Sequence, residues 1–402
     1  MASPVRVLTA VPICDGHDSA INTINLEFIR HGIEVVYLGF HRYAGDIVRA
    51  AIQEDVAAIG ISSYNGGHIE FFAEVVRHLR KEGANDIAVF GGGGGTITHE
   101  DAALMRRKGV DRIFFAGTSL AEMVDYVRKH YSKTRKRRAN AKPDLALARK
   151  LTEVEDRFAN ESKRPTPKAF ASGASNPAAA GQAAQRPTSK LEKKQSRNSK
   201  RAHVIGFTGP GGAGKTTLID ELVLRFLQRE PEARIAILSH DPSVIGAGAL
   251  LGDRATMINS QDDRVFMRSM ATRGRAGGLS PATESCLDLL AHSGFDYVII
   301  ETVGTGQEAL PFRARLVDQT VLVMNPDYGA RLQLQKIVML DVADIVVVNK
   351  TDLERAKAAL SEIEQRLTQN KLKQQIVATV AKRHRDAGVD ELFALITKGR
   401  PR

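Results

Sequence analysis

Cysteine is scarce in this sequence, with only Cys14 and Cys286 among 402 residues. Two cysteines so far apart provide neither a disulfide framework nor the paired spacing of a cysteine-based zinc site. Long apolar runs are missing as well, since no stretch approaches the roughly 18 residues of a membrane span. The N-terminus lacks a signal-peptide pattern. We therefore expect a cytoplasmic protein that is not embedded in a membrane.

Acidic residues are scarce in one segment only. The formal net charge is +11, which taken alone suggests a nucleic-acid-binding protein. Residues 132–201 hold 19 of the 57 Lys and Arg residues but only 6 of the 46 Asp and Glu residues. The remainder of the chain is close to neutral. The basic charge thus belongs to one segment, and we expect no nucleic-acid partner for the folded domains.

Residues 1–131 alternate short apolar strands with amphipathic helical stretches. Five βα units of this size predict a doubly wound parallel α/β sheet in the flavodoxin-like order 2-1-3-4-5. The predicted strands cover residues 5–12, 34–39, 57–63, 86–92 and 110–117.

Residues 132–201 interrupt this alternation. The stretch ASGASNPAAAGQAAQRPTSK is poor in apolar side chains, which predicts a basic and largely disordered linker. Leu147, Leu151, Val154 and Phe158 recur at helical spacing, so the sequence predicts one isolated helix within the linker. A solvated, mobile tether is the favoured interpretation. A tail that binds RNA or phosphate is the alternative.

Residues 202–402 begin a second α/β pattern with GPGGAGKT, which matches G-x-x-x-x-G-K-[ST] between a strand and a helix. In such a P-loop, backbone N–H groups and the helix dipole surround phosphate oxygens. Lys215 is expected to contact the β- and γ-phosphates as a catalytic residue, and the Thr216 hydroxyl to ligate Mg²⁺. The predicted phosphate-binding residues are Gly209, Gly211, Gly212, Ala213, Gly214, Lys215, Thr216 and Thr217.

The stretch NKTD, which includes Asn349, Lys350 and Asp352, ends an apolar strand and indicates the purine base. A carboxylate can accept two N–H bonds from guanine N1 and N2, which adenine does not offer. Asp352 is therefore expected to select guanine, and Asn349 to reach the N7 and O6 edge. Taken alone, the tetrapeptide is equally typical of a strand-to-helix turn. Combined with a P-loop it predicts GTP.

Acidic residues suited to a metal-assisted phosphoryl transfer follow the predicted strands. Asp241 and Glu301 both end apolar strands, so we expect them to face the nucleotide together with Mg²⁺. Asp253 lies in a glycine-rich segment that resembles a mobile switch. The backbone N–H of Gly304 is expected at the γ-phosphate. For each acid considered alone, a helix cap or turn cap is the alternative explanation.

The stretches DPS…GALLGD, ETVGTGQE and ADIVVVNKTD resemble the G-protein chaperones of cobalamin-dependent acyl-CoA mutases. This resemblance implies Mg²⁺ ligation by the same three acids, and Gln307 becomes a candidate for positioning water. Two positions depart from the family. Thr256 stands where the family tends to carry Arg, and Ala378–Val380 replaces the usual Ser-Ala turn that supports guanine.

In the first domain, three polar or glycine-rich loops follow strands that the predicted order makes adjacent. They are DGHD after strand 1, SSYNGGH after strand 3, and five glycines after strand 4. A carboxylate such as Asp15 can fix the tautomer of His17 and raise the basicity of its free nitrogen. One histidine without companions suits a metal already held by a macrocycle. The alternative is a capped helix N-terminus with His17 exposed.

This combination resembles the cobalamin-binding domain of adenosylcobalamin mutases. The resemblance implies that His17 is the lower axial ligand of cobalt in base-off adenosylcobalamin and that Asp15 orients it. It further implies that Ser62, Gly94 and Gly95 surround the displaced nucleotide tail. The usual final glycine of D-x-H-x-x-G is Ala20 here, and Ser62-Ser63-Tyr64 replaces S-x-L.

Both halves together resemble the N-terminal portion of the fused isobutyryl-CoA mutase family. In that family a further barrel binds the acyl-CoA, and such a barrel needs about 250 residues. The sequence ends after the GTPase pattern, so we expect a separate barrel subunit or a missing C-terminal region. A homodimer and an adenosyltransferase partner are further expectations. We therefore expect a GTPase whose binding and hydrolysis of GTP gate cofactor loading or protection of an acyl-CoA mutase. The alternatives are a small mutase subunit that acts with a separate barrel subunit, or a cobalamin-dependent sensor or binding protein without enzymatic function.

Overall fold

The computed structural model describes most of the chain. The described residues are 4–13, 15–16, 19–132, 141–161, 201–243, 248–275, 277–304, 312, 316–328, 340, 342–369 and 374–399. His17, Gln307 and most of the linker predicted to be disordered lie outside this set.

The first half forms a parallel sheet whose strands alternate with helices. Its strands are β1 (Arg6–Ala10), β2 (Glu34–Tyr37), β3 (Ala58–Ser62), β4 (Ala88–Gly92) and β5 (Arg112–Phe114). Its helices are α1 (Ser19–Arg30), α2 (Ala44–Gln53), α3 (His68–Lys81), α4 (His99–Lys108) and α5 (Leu120–Tyr131). The five strands lie in the order 5-4-3-1-2, which confirms the prediction. β1 is buried throughout, as expected for a strand covered by helices on both faces.

Local sequence signals define several of these helices. The Thr98 side chain accepts a hydrogen bond from the Asp101 N–H, and the Asp101 carboxylate accepts one from the Thr98 N–H, so a capping box begins α4. Gly109 ends the same helix in the left-handed conformation that glycine favours. Ser119 begins α5 by accepting a bond from the Glu122 N–H.

The second half forms a seven-stranded parallel sheet. The strands are β6 (His203–Thr208), β7 (Ile235–Asp241), β9 (Val265–Ala271), β10 (Tyr297–Glu301), β11 (Gln319–Met324), β12 (Ile345–Val348) and β13 (Gln375–Ala378). They lie in the order 13-12-11-6-10-7-9. The helices are α7 (Lys215–Arg229), α8 (Thr283–Ala291), α9 (Ala356–Gln369) and α10 (Ala387–Lys398). β6, which leads to the P-loop, is central.

One strand of the second half belongs to the first sheet. β8 (Ala249–Leu251) pairs in parallel with β2, with Leu250 opposite Val35. A turn of 3₁₀ helix, Asp253–Ala255, follows directly. The sequence analysis assigned this segment to the second domain alone. Pairing with β2 instead covers an edge that would otherwise expose unpaired backbone groups.

The helix predicted within the linker is α6 (Pro143–Glu161), and it is not isolated. Leu145 is fully buried in the core of the first half, while Ala148 and Leu151 are fully buried in a cluster of the second half. The predicted periodicity was therefore right, but the helix packs between the two sheets. Among the described residues, no helix is long and apolar enough to cross a membrane.

Candidate functional site

A cavity of about 200 Å³ opens at the carboxyl edge of the first sheet. Ser62 and Gly94 line it, as do Gly60, Phe114 and Met123, whereas Gly95 lies outside the lining. Pockets that enclose a whole small ligand usually measure about 300–1,000 Å³. This cavity therefore suits one portion of a larger ligand, with the remainder outside the sheet.

The glycine run serves packing as much as ligand access. A Cβ on Gly91 would lie 2.3 Å from the Ile61 carbonyl oxygen, and a Cβ on Gly93 would lie 2.3 Å from the Ser63 carbonyl oxygen. Gly94 has a φ of 51°, and a Cβ there would approach the Tyr64 ring. The run therefore allows close backbone approach between neighbouring strands, in addition to removing side chains from the cavity wall.

Asp15 joins two of the three predicted loops. Its side chain is buried, and Oδ2 accepts hydrogen bonds from the backbone N–H groups of Tyr64 and of Asn65, the latter at 3.2 Å. The loops after β1 and β3 are thus fixed to each other. Orientation of His17 by Asp15 stays a prediction, since His17 lies outside the described residues.

The P-loop follows β6 in the conformation that its glycines permit. Gly212 and Gly214 have φ angles of 74° and 86°, which residues other than glycine rarely adopt. The Lys215 ammonium is buried, and it donates to the carbonyl oxygens of Gly209 at 3.0 Å and Pro210 at 3.2 Å. Burial lowers the pKa of Lys215, and the nearby carboxylates Glu301 and Asp253 oppose that shift. Thr217 follows on α7.

The predicted acids converge beside the P-loop. Thr216 Oγ1 donates to Glu301 Oε1 at 2.8 Å. Ser239 donates to Asp253, and the Gly252 N–H donates to Asp241 Oδ2 at 3.2 Å. The parallel sheet brings these groups together because β7 and β10 end at the same edge as β6.

Burial and mutual repulsion make these carboxylates reluctant to ionise without a cation. Burial, with the Asp253 carboxylate next in importance, raises the pKa of Glu301 to about 8. Burial also raises the pKa of Asp253, and it raises the pKa of Asp241 well above its usual value, with Asp253 and Glu301 adding to the effect. A bound cation would reverse this tendency.

The acids fit Mg²⁺ only in company with a nucleotide. No three His, Cys, Asp or Glu side chains within the described ranges are close enough to enclose a metal ion by themselves. Mg²⁺ commonly takes one or two protein oxygens and completes its shell with phosphate and water. Glu301 Oε2 is buried and accepts no hydrogen bond from the residues that the structure describes, so it has capacity for a cation or its water.

Gly304 lies against the P-loop. A Cβ on Gly304 would lie 2.4 Å from Gly211 Cα, so only glycine fits. The chain after Glu301 is therefore placed beside the phosphate-binding loop. Its proposed contact with the γ-phosphate stays a prediction.

The NKTD segment is tied to both the P-loop and the loop after β13. Asn349 is buried, its Nδ2 donates to the Ala213 carbonyl at 2.9 Å, and its Oδ1 accepts bonds from Thr379 Oγ1 and the Ala381 N–H, both at 3.0 Å. Nδ2 carries a second hydrogen that remains for a purine edge. The Thr379 hydroxyl supports Asn349, so the altered turn keeps a supporting donor.

Lys350 and Asp352 follow Asn349 in the same segment. Lys350 has a φ of 61° and donates to the Gly212 carbonyl at 2.8 Å. Asp352 pairs with Lys382 at 2.5 Å, and this hydrogen bond lowers the pKa of Asp352. An ionised Asp352 is the state that accepts two N–H bonds from guanine.

Several residues of the site carry no recognisable sequence signal. His240 is fully buried, with Nδ1 2.9 Å from the Glu301 carbonyl oxygen and Nε2 2.8 Å from Thr283 Oγ1. Burial lowers its pKa to about 4, so it is neutral, donates to Glu301 through Nδ1 and accepts from Thr283. Ser239 and Arg254 were missed as well. Their partners are distant in sequence, so spacing alone does not reveal them.

Each half of the chain matches a known protein family. Residues 5–124 match the family model of the B12 binding domain, and residues 177–400 match that of the methylmalonyl Co-A mutase-associated GTPase MeaB. A fused isobutyryl-CoA mutase of Geobacillus kaustophilus is 36% identical, and the alignment covers 98% of this chain and 36% of that protein. A fused isobutyryl-CoA mutase of Cupriavidus metallidurans is 35% identical over 98% of this chain and 35% of that protein.

The GTPase half has separate relatives. A putative GTPase of Pyrococcus horikoshii is 43% identical over 40% of this chain and 51% of its own length. The chain spans about a third of the length of the fused mutases that it matches. Through residues 177–400 the chain belongs to the family of methylmalonyl Co-A mutase-associated GTPases MeaB, here joined to a B12 binding domain, and over nearly its whole length it is similar to fused isobutyryl-CoA mutases.

Proposed function

We propose that this chain binds adenosylcobalamin and hydrolyses GTP, and that the nucleotide state gates the loading or protection of an acyl-CoA mutase. The observation that carries the proposal is the presence of both sites in one packed unit: the cavity lies at the edge of a sheet that is completed by β8, and β8 leads directly to Asp253. Two sites joined by shared structure can influence each other's affinities.

For the nucleotide, we assign Lys215 to the β- and γ-phosphates and Asp352 to guanine. Mg²⁺ would be held by the Thr216 hydroxyl together with Glu301, Asp241 and Asp253, directly or through water. Support comes from the hydrogen bond between Thr216 and Glu301 and from the buried Glu301 Oε2, which accepts no hydrogen bond within the described ranges. When bound, Mg²⁺ supplies positive charge that offsets the charge on the phosphate oxygens.

For the cofactor, we assign His17 as the lower axial ligand of cobalt, with Asp15 orienting its ring. The fixed and buried position of Asp15 supports this assignment. The cavity beside Ser62 and Gly94 would take the displaced nucleotide tail. Its volume suits a tail with the corrin ring outside the sheet.

The partner that we propose is an isobutyryl-CoA- or methylmalonyl-CoA-type mutase barrel, on a separate subunit or in a C-terminal region beyond this sequence. A homodimer and an adenosyltransferase partner stay predictions. The second candidate is a small mutase subunit whose GTPase protects its partner, which the similarity to fused isobutyryl-CoA mutases favours.

Transfer of adenosylcobalamin to a mutase barrel tests the gating proposal. The rate is measured with Mg·GTP, with Mg·GDP and without nucleotide, with Lys215→Ala as a control that removes the phosphate contact. We expect the three rates to differ in the wild type and to converge in the variant. Three equal rates in the wild type would refute gating, even if both ligands bind.

A further inference from the structure

The segment that carries Asp253 is anchored in the first domain. β8 forms the sixth strand of the first sheet, with Ala249, Leu250 and Leu251 opposite Glu34, Val35 and Val36. Asp253 follows two residues later, close enough to the P-loop for its carboxylate to affect the pKa of Lys215. A component of the nucleotide site is therefore positioned by the domain that would hold the cofactor.

Arg254 strengthens this anchorage. It is fully buried, its Nε donates to Glu54 Oε1 at 3.0 Å, and its Nη2 donates to Gln53 Oε1 at 3.1 Å. Glu54 also accepts bonds from the N–H and the hydroxyl of Ser269 in β9, at 3.0 Å and 2.9 Å. A buried charge pair with this many partners resists displacement, since breaking it would leave an unpaired charge.

Arg42 connects the same segment to the loops of the first domain. Its Nη2 donates to the Ala255 carbonyl at 2.7 Å. The Arg42 backbone N–H donates to the Val11 carbonyl at 3.1 Å. Arg42 is thus hydrogen-bonded through its side chain to the 3₁₀ turn and through its backbone to the chain that follows β1.

The neighbours of Arg42 extend this connection toward the candidate cofactor loop. The Val11 N–H donates to the Gly39 carbonyl at 3.0 Å, and His41 Nδ1 lies 3.1 Å from the Ile13 carbonyl oxygen. The His41 ring also lies beside Gly16. Residues 39–42 therefore contact Val11, Ile13 and Gly16 on one side and Ala255 on the other.

From this arrangement we propose that Arg42 is a positioning residue that links the affinities for cobalamin and Mg·nucleotide. Only Arg254 separates Asp253 from Ala255, and its side chain is hydrogen-bonded to Gln53 at the end of α2 and to Glu54. Because Arg254 holds this turn against α2, binding of Mg·nucleotide at Asp253 stabilises the same arrangement of the turn that Arg42 joins to residues 11–13. This proposal rests on the proposed function, because it requires both ligands to bind.

Cobalamin titrations of the full-length chain test the link. The cobalamin Kd is measured by visible absorbance with saturating Mg·GDP and without nucleotide. Typical coupling energies correspond to about a 5- to 150-fold change in affinity. We expect a ratio in this range for the wild type and a ratio near one for Arg42→Met, which keeps the aliphatic stem but removes the donor. Arg42→Lys, which keeps a donor, should restore part of the ratio.

Arg49→Met is the matched control. Arg49 lies on α2 and pairs with Asp263 across the same domain interface, but Asp263 is exposed and lies eight residues beyond Ala255, outside the 3₁₀ turn. We expect this variant to keep the wild-type ratio. Arg42→Met should leave the Kd for Mg·GDP alone within about twofold of the wild type, since Arg42 contacts no part of the P-loop that the structure describes.

Hydrogen exchange of the wild type provides a test that does not depend on any variant folding. We expect Mg·GDP to slow exchange at the Val11 and Arg42 amides and to leave α5 unchanged. A wild-type ratio of one, an Arg42→Met ratio equal to the wild type, or unchanged exchange at both amides would overturn the link. If each ligand binds but no link is found, only this inference fails; if either ligand fails to bind, the proposed function fails as well.

Discussion

Single side chains at the nucleotide site hold two loops together while leaving one group for the ligand. Asn349 makes hydrogen bonds to Ala213, Thr379 and Ala381, and one of its two amide hydrogens takes part in none of these bonds. Asp352 is held by Lys382, which pairs with one of its oxygens. The segment proposed to recognise the base is thus held in position by the protein itself, which would reduce the entropy cost of binding.

Asp352→Asn should change the base that the site prefers. The carboxylate accepts two N–H bonds from guanine, whereas the amide offers one acceptor and one donor, which match the N–H and carbonyl edge of xanthine. A bidentate contact of this kind discriminates by about 1–3 kcal/mol. We therefore expect weaker GDP binding and stronger XDP binding, measured by competition with a fluorescent nucleotide.

Lys382→Met is the control for this change, because it removes the partner of Asp352 and keeps the carboxylate. It should keep the preference for GDP over XDP. If Asp352→Asn also keeps that preference, Asp352 does not contact the base.

At the scale of residues, the sequence predicts candidate site residues only where a short motif contains them. Lys215, Thr216 and Asp352 lie in such motifs, and the fold brings Lys215 and Thr216 beside Glu301 as their positions after strands predict; their roles toward a nucleotide stay predictions. Ser239 and Arg254 act through partners that the fold brings from elsewhere, such as Glu54 in the first domain. No local pattern predicts such contacts.

At the scale of elements, α6 and β8 join the two halves. The helical period of α6 was predictable, but its packing was not, because its two faces meet clusters built from segments on either side of it in sequence. β8 has only three residues, too few for a periodic signal. Its place beside β2 depends on an open sheet edge, which the sequence does not reveal.

Leu151→Ala should destabilise the whole chain if α6 is structural and not a mobile tether. Leu151 is fully buried, and removing such a side chain typically costs about 2–5 kcal/mol. Lys150→Ala on the same helix removes an exposed side chain and should cost little. The measurement is urea unfolding monitored by circular dichroism. Equal stability of the two variants would contradict the packing of α6.

At the scale of the whole molecule, a buried ionic cluster spans the two sheets. Glu155 of α6 accepts bonds from Arg6 of β1 and Arg268 of β9, each with a contact at 3.0 Å. Burial raises the pKa of Glu155, but Arg268, Arg6 and Arg273 together lower it further, to about 2. The charged state of one carboxylate therefore stabilises both halves.

Glu155 should make the stability of the molecule depend on pH in the acid range. Its folded pKa of about 2 lies below the ordinary 4.5, so its contribution is complete above pH 4.5 and is lost as the pH falls toward 2. The shift corresponds to roughly 3 kcal/mol. We expect Glu155→Gln to lower the free energy of unfolding by about this amount at pH 7.

Chemical unfolding at several pH values measures this dependence. The difference between wild type and Glu155→Gln should shrink below pH 4.5. Glu153→Gln on the exposed side of the same helix should show a small difference that does not follow this course. A constant difference for Glu155→Gln from pH 7 to pH 3 would rule out the ionic role.

The central claim is that His17 ligates the cobalt of adenosylcobalamin, and the visible spectrum of the bound cofactor tests it most directly. The wild type should show a base-off spectrum with a histidine ligand, and His17→Ala should lose the signature of that ligand. His41→Ala is the control, because its ring lies beside the same loop at Gly16. A histidine-ligated spectrum that persists in His17→Ala, or disappears in His41→Ala alone, would contradict the account.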